Sequence, residues 1–255
     1  MGSARKLALA ACLALAACRS APLRVMTLNV AHGRGTALHQ TRLRKAEFEA
    51  NLEAVARVLR RERPVVVALQ EADGPSFWSG GFDHVSRLAA RAGYPHRFRG
   101  RHVDAPKLTY GTALLSMRPL ENPVSHRFAR SLPTPLKGFV VATVGEIDVV
   151  SVHLDFLREK ARRRQVAEMV EALRSRDRPL ILLGDFNVEW GETLRHLAEA
   201  LGLHAFAPEA ADLGTFQTRR LDWILISGEL EFVRCVVVPD VLSDHRAVVA
   251  DVRVR

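Results

Sequence analysis

The sequence predicts an α/β layered fold, with mixed β-sheets carrying helices on their outer faces. Two observations carry this. Apolar runs of strand type arrive both singly between helical segments and in adjacent pairs, so the sheets cannot be purely parallel. Five of these runs close on a polar, ligand-type residue: Asn29, Glu71, His153 with Asp155, Asp185, and Asp244-His245. There is no fixed-period repeat, low-complexity tract or linker, so residues 23–255 are expected to form one domain.

The elements follow in chain order. Leu23 to Asn29 predicts a strand, and Ala31-His32-Gly33-Arg34-Gly35 a glycine loop. Leu52, Val55, Ala56 and Leu59 fall at helical spacing, with arginines at the C-terminal end and Pro64 as a stop. Val65 to Glu71 is almost wholly apolar, as in a central strand covered on both faces. Phe82, Val85, Leu88, Ala89 and Ala92 give a second helix, closed by Gly93. Alternation over His96 to His102 places Arg97, Arg99 and Arg101 on one side of a strand. They could meet phosphates or anionic head groups there, or guard a solvated edge.

Strands are expected at Tyr110–Ser116, Phe139–Val144 and Ile147–His153. A helix then presents Val166, Met169, Val170 and Leu173 on one face. Pro179 opens the strand that ends in Asp185. Leu194, Leu197, Ala198 and Leu201 mark a last helix, ended by Gly202. Leu221–Ile226, Phe232–Val238 and Ala247–Val254 complete the set.

The 255 residues are 48% hydrophobic and 25% charged, which permits a large core and argues against disorder. A net charge of +9 favours an anionic partner: nucleic acid, an acidic membrane surface or a phosphate ester. A basic surface kept for solubility would give the same balance. Arg5 and Lys6 precede the apolar run Leu7 to Ala17, which is too short to span a bilayer but fits a signal-peptide core. Leu15-Ala16-Ala17-Cys18 resembles a bacterial lipobox, in which the cysteine is lipidated. By that resemblance residues 1–17 are a signal peptide and 18–22 a short tether. The resemblance also implies an exported outer-membrane lipoprotein facing the periplasm or the exterior, attached to the membrane through Cys18. Cys12 leaves with the signal and Cys18 carries lipid, so only Cys235 remains and no intramolecular disulfide can form.

The strongest local signal is Ile181-Leu182-Leu183-Gly184-Asp185-Phe186-Asn187. With side-chain period two, Asp185 and Asn187 point to the same side. Six further motifs keep a fixed order. Thr27-Leu28-Asn29-Val30, Ala68-Leu69-Gln70-Glu71 and Gly111-Thr112-Ala113-Leu114-Leu115-Ser116 come before it, with Val152-His153-Leu154-Asp155. Leu221-Asp222-Trp223-Ile224 and Ser243-Asp244-His245 come after. The set resembles the endonuclease/exonuclease/phosphatase superfamily, which includes neutral sphingomyelinases, over nearly the whole chain from about residue 24. The resemblance implies a four-layered α/β sandwich of two packed mixed sheets, with the site at one end between them.

It also implies a Mg²⁺- or Mn²⁺-dependent phosphoric ester hydrolase. Phosphodiesters repel hydroxide, so a hard divalent cation is needed to neutralise charge, and Mg²⁺ requires few protein ligands. Glu71 is the first candidate ligand, with Asn29 beside it; Asp244 is a further ligand or an outer partner. Asp185 would orient or deprotonate the attacking water, and Asn187 would hold it or a phosphoryl oxygen. His153 and His245 would bracket the phosphate and donate protons, with Asp222 paired to His245. Thr112 stands where the family often has Asn. Arg34 either contacts phosphate or is solvated on a plain turn, and His32 is equally open.

The expected substrates are nucleic acid or phospholipid, with small phosphomonoesters as a third option. Phe77, Trp78 and Phe82 are the candidate apolar lip that a lipid hydrolase would need. The protein is expected to be a monomer. The competing reading is a non-catalytic surface lipoprotein that binds an anionic partner.

Overall fold

The structure, a computed structural model, describes residues 21–210 and 212–255. The predicted signal segment and Cys18 lie outside the described residues. The chain runs β1 (Leu23–Asn29), α1 (Lys45–Glu62), β2 (Val66–Asp73), α2 (His84–Ala92), β3 (His96–Arg99), β4 (Val103–Ala105), β5 (Leu108–Ser116), β6 (Glu121–Arg127) and β7 (Gly138–Val144). It continues β8 (Ile147–His153), α3 (Glu159–Leu173), β9 (Leu180–Asp185), α4 (Glu192–Ala200), β10 (Leu203–Ala205), β11 (Asp222–Ser227), β12 (Leu230–Val237) and β13 (Val248–Val254).

These strands form two mixed sheets. The first has the order β12-β13-β1-β2-β5-β3, with β4 also paired to β5; the second has the order β10-β11-β9-β8-β7-β6. The pairs β1–β2 and β8–β9 are parallel. Alternate residues of the central strands explain the layering. Val25, Ala68, Ile181 and Ile224 face inward and pack in one apolar layer between the sheets. Met26, Leu69 and Leu115 face outward against Leu52, Leu59 and Leu88 of α1 and α2. Leu182 and Leu225 face outward against Met169, Leu173, Leu194 and Leu197 of α3 and α4. The result is the expected helix–sheet–sheet–helix sandwich.

Helix ends obey local chemistry. Asp83 caps α2 by accepting from the Ser86 amide at 2.8 Å, and Gly93 closes it at φ 78°. Where expectation and structure differ, edges and bulges are responsible. β6 and β10 lack apolar runs because they are edge strands. β2 continues two residues past Glu71, through a register shift between Leu69 and Ala72. The 96–102 stretch is not one strand. β3 stops at Arg99, Arg99 lies 3.7 Å from Asp83, and Arg101 falls beyond the strand, so the three arginines form no common row.

The C-terminal ends of β1, β2, β8 and β9 meet at one pole. The first residues of β11 and β13 join them there through antiparallel pairing, while Leu23 begins β1 at the opposite pole.

Candidate active site

Sheet register places the site residues. His153 lies opposite Asp185 across the β8–β9 pair, and Asp222 lies opposite Asp185 across β9–β11, so the three share one row. Gly184 makes that row possible. A Cβ there would sit 2.0 Å from the Val152 carbonyl oxygen, so only glycine lets β8 and β9 approach just before Asp185. The first sheet faces this row with Asn29. Its amide nitrogen donates to Asp185 Oδ2 at 3.0 Å, which bridges the two sheets, and its oxygen accepts from the Ala31 amide.

The other candidates converge on the same cleft of ≈ 350 Å³, whose lining includes Glu71, Asp244, Asn187 and both imidazoles. His153 Nε2 lies 3.3 Å from Asp185 Oδ2 and 4.0 Å from Glu71 Oε1. His245 Nε2 lies 3.8 Å from Asp185 Oδ2, and its Nδ1 is 2.7 Å from Asp222 Oδ2. Asp222 thus stands behind His245, fully buried. The Asn187 backbone amide donates to Asp185 Oδ1 at 2.9 Å, and its side-chain amide donates to the Leu154 carbonyl. Asn187 (φ 53°) and Glu71 (φ 50°) both adopt left-handed backbone, a strain that concentrates at functional sites. Asp244 is bound to Arg34, whose Nη2 lies 2.5 Å from Oδ2, so Arg34 is neither a solvated turn residue nor free. Thr112 is buried and hydrogen-bonded to His102 at 2.9 Å, which removes it from phosphate contact.

The electrostatics divide the two imidazoles. Burial opposes charge on His245, but Asp222, Asp185 and Asp244 outweigh it and raise its pKa to about 10. Burial and then the Lys137 cation hold His153 well below the usual imidazole range, so it is neutral at pH 7. Asp185 is pushed up to about 7, first by burial and then by Asp222. Burial would raise Glu71 as well, yet His32, Lys137 and the two site imidazoles hold it well below the usual carboxylate range.

Two groups escaped sequence reasoning. Lys137 is buried with Nζ 2.9 Å from His153 Nε2 and 3.7 Å from Glu71 Oε1. Its only signal is position: it precedes Gly138, which pairs with His153. The sequence leaves the role of His32 open and carries no signal for its partner Asp73. His32 Nδ1 lies 2.7 Å from Asp73 Oδ1 and Nε2 lies 3.3 Å from Glu71 Oε2.

The donor set suits a hard divalent cation. It is rich in carboxylate and amide oxygen, and Asp222 Oδ1 and Asp244 Oδ1 are shielded from solvent without a hydrogen-bond partner. Ligand atoms of Asp185, Asp222 and His245 lie within 4.8 Å of one another. Asp222 and His245 already face each other, whereas Glu71 opens on the cleft, so Glu71 is the better-placed first ligand.

Two mixed sheets with an acid–amide–imidazole cleft between their strand ends define an α/β sandwich of hydrolase type. The sequence profile of the Endonuclease/Exonuclease/phosphatase family matches residues 26–245, and the chain belongs to that family. Members are generally hydrolases of phosphoester bonds and typically depend on a divalent metal. Solved structures share the fold. An endonuclease/exonuclease/phosphatase from Beutenbergia cavernae DSM 12333 is 22% identical with a TM-score of 0.73, over 92% of this chain and 72% of that one. The human Nocturnin catalytic domain with bound sulfate is 24% identical with a TM-score of 0.68, over 93% and 95%. A mannosyl-6-phosphatase from Bacteroides thetaiotaomicron VPI-5482 is 17% identical with a TM-score of 0.68, over 90% and 99%. No curated protein sequence matches the chain.

Proposed function

We propose that this protein is a divalent-metal-dependent phosphodiesterase that cleaves nucleic acid or phospholipid by in-line attack of water. The observation that carries this reading is the Asn29–Asp185 bridge between the sheets, with Glu71, Asn187, His153 and His245 gathered around it in one cleft. Asp185, with its pKa raised to about 7, is a base matched to neutral pH and takes the proton of the attacking water. Asn187 fixes Asp185 through its backbone amide and offers polar contact to the water or a phosphoryl oxygen. His245, cationic at neutral pH and oriented by Asp222, gives a proton to the departing oxygen. His153 is the neutral partner, and Lys137 beside it, whose pKa burial lowers against the pull of Glu71 and Asp185, places its amino group where the anionic transition state forms. A divalent cation held by Glu71 with Asn29 would neutralise phosphate charge and polarise a phosphoryl oxygen. Asp244 would join it through Oδ1, which has no hydrogen-bond partner, with Oδ2 still held by Arg34.

Cleft surroundings bear on the substrate. Phe156 and Phe216 line it together with Arg34 and Arg219, so a phosphate flanked by an apolar or planar group fits its walls. Phe156, on the cleft wall, is more than half exposed, whereas the expected lip residue Phe77 is exposed but does not line the cleft. Anchorage through a lipidated Cys18, an outer-membrane location and a monomeric state belong to the same reading. The test is hydrolysis of bis(p-nitrophenyl) phosphate with Mg²⁺ or Mn²⁺, with and without chelator. A panel of plasmid DNA, RNA, sphingomyelin and phosphatidyl lipids follows. Chelator-sensitive turnover that Glu71→Gln abolishes is the expected result. Its absence with either metal across the whole panel would leave a non-catalytic binder of anions.

A further inference from the structure

Glu71 sits on a bulged strand in a left-handed backbone conformation, with neighbours equally constrained. In the loop after β1, His32, which faces Glu71, and its neighbour Ala31 have φ 54° and 46°. Three adjoining non-glycine residues in that region persist only where surrounding contacts fix them. Those contacts are specific. The two oxygens of Glu71 are divided: Oε1 faces Lys137 and His153 across the cleft, and Oε2 faces His32 Nε2 at 3.3 Å. The other ring nitrogen of His32 is tied to Asp73 at 2.7 Å.

Asp73 is itself immobile. Its second oxygen accepts from Trp78 Nε1 at 2.8 Å and from Ser79 Oγ at 2.5 Å, and the residue is fully buried. Two aromatic rings, themselves 5.5 Å apart, pack against the imidazole. The Trp78 ring centroid lies 5.1 Å away, and Tyr110 meets it edge-on at 4.9 Å. A ring with one nitrogen anchored to a saturated carboxylate and two aromatic rings packed against it is held in one orientation. Its remaining nitrogen therefore presents a fixed partner to Glu71.

Resting on the reading of Glu71 as the metal-binding carboxylate, we propose that His32, backed by Asp73, is a positioning residue that clamps Glu71 Oε2 and so presets Oε1 toward the cleft for a divalent cation. His32 touches neither substrate nor reacting atoms. Its contribution is to the affinity and placement of the cation, as outer partners of metal ligands contribute elsewhere.

The test is Mn²⁺ binding to the purified protein, by calorimetry and by the free-Mn²⁺ paramagnetic resonance signal, for wild type, His32→Ala, His32→Gln and Glu71→Gln. The half-saturating Mn²⁺ concentration for bis(p-nitrophenyl) phosphate hydrolysis is measured in parallel. His32→Ala should weaken Mn²⁺ binding by about 10- to 100-fold, with the same shift in half-saturating Mn²⁺ and a kcat near wild type once Mn²⁺ saturates. His32→Gln should recover much of the loss, because its amide places an N–H where Nε2 stood. Wild-type Mn²⁺ affinity in His32→Ala alongside weakened binding in Glu71→Gln would overturn the clamp while leaving the metal site standing. Equal weakening in the alanine and glutamine variants would also overturn it, as a packing effect. Unchanged binding in Glu71→Gln would overturn both the clamp and the metal-ligand reading beneath it. If His32→Ala does not fold, the comparison of His32→Gln with wild type decides: normal affinity or a loss as large as that of Glu71→Gln refutes the clamp, and a mild loss sustains it.

Discussion

Asp222→Asn should lower the pKa values of two different groups at once. Asp222 is the largest source of the upward shift on His245 and, after burial, the largest on Asp185. The His245 shift from 6.5 to about 10 corresponds to on the order of 5 kcal/mol of preference for the imidazolium. Removing the charge but not the shape of Asp222 should withdraw roughly half of that, or about 2 pH units, because Asp185 and Asp244 still face the ring. The carboxamide oxygen still accepts from Nδ1, so the tautomer survives.

Imidazole ¹⁵N titration by NMR reads the His245 midpoint directly, and the pH dependence of kcat reads its consequence. The alkaline limb should move down with His245, the acidic limb should move down with Asp185, and kcat should fall by about 10²- to 10⁴-fold. Stability follows with a definite sign. The folded-state pKa of His245 lies above its unfolded value, so its contribution is complete below about 6.5 and is lost as pH rises through about 10. The decline in Tm between neutral and alkaline pH should therefore be shallower in Asp222→Asn. A His245 midpoint within about half a unit of wild type would refute the assignment of Asp222 as the principal source.

Two further perturbations separate charge from packing. Lys137→Gln removes the buried cation between His153 and Glu71, so the His153 midpoint should rise and kcat should fall by about 100-fold or more; an unmoved His153 midpoint by the same NMR titration would exclude that influence. Gly184→Ala drives a Cβ to 2.0 Å from the Val152 carbonyl and should cost about 3 kcal/mol or more by denaturant unfolding. Gly145→Ala, with open space but a φ of 61°, should cost only about 1 kcal/mol, and equal losses at the two positions would deny the close strand approach.

The layered architecture was legible because its central strands are apolar on both faces and its helices carry clean stripes. β1, β8 and β9 end at the residues expected from the sequence, since in each the apolar run and the strand stop together at Asn29, His153 or Asp185. β6, Glu121–Arg127, was not legible: a solvated edge strand needs no apolar signature. Convergence on the cleft could be anticipated for Asn29, Glu71, Asp185, Asn187 and the two site imidazoles, because each lies at, within two residues of, or beyond the end of a strand that finishes at the same pole. Lys137 and the His32–Asp73 pair were hidden for a different reason. Their significance lies in contacts across 16 and 41 positions, created by strand register in one case and by a bulge in the other. The Arg34–Asp244 pair spans 210 positions and is equally invisible to local pattern.

The direction of β1 decides which way the protein looks. Leu23 enters at one extremity and Asn29 delivers its amide at the other, so the strand separates them by about 20 Å. A tether of five residues, were 18–22 to serve as one, would reach at most about 17 Å even when taut. Were Cys18 moored in a bilayer, the cleft would gaze away from its own mooring, and cargo would have to arrive from open fluid or from a facing surface.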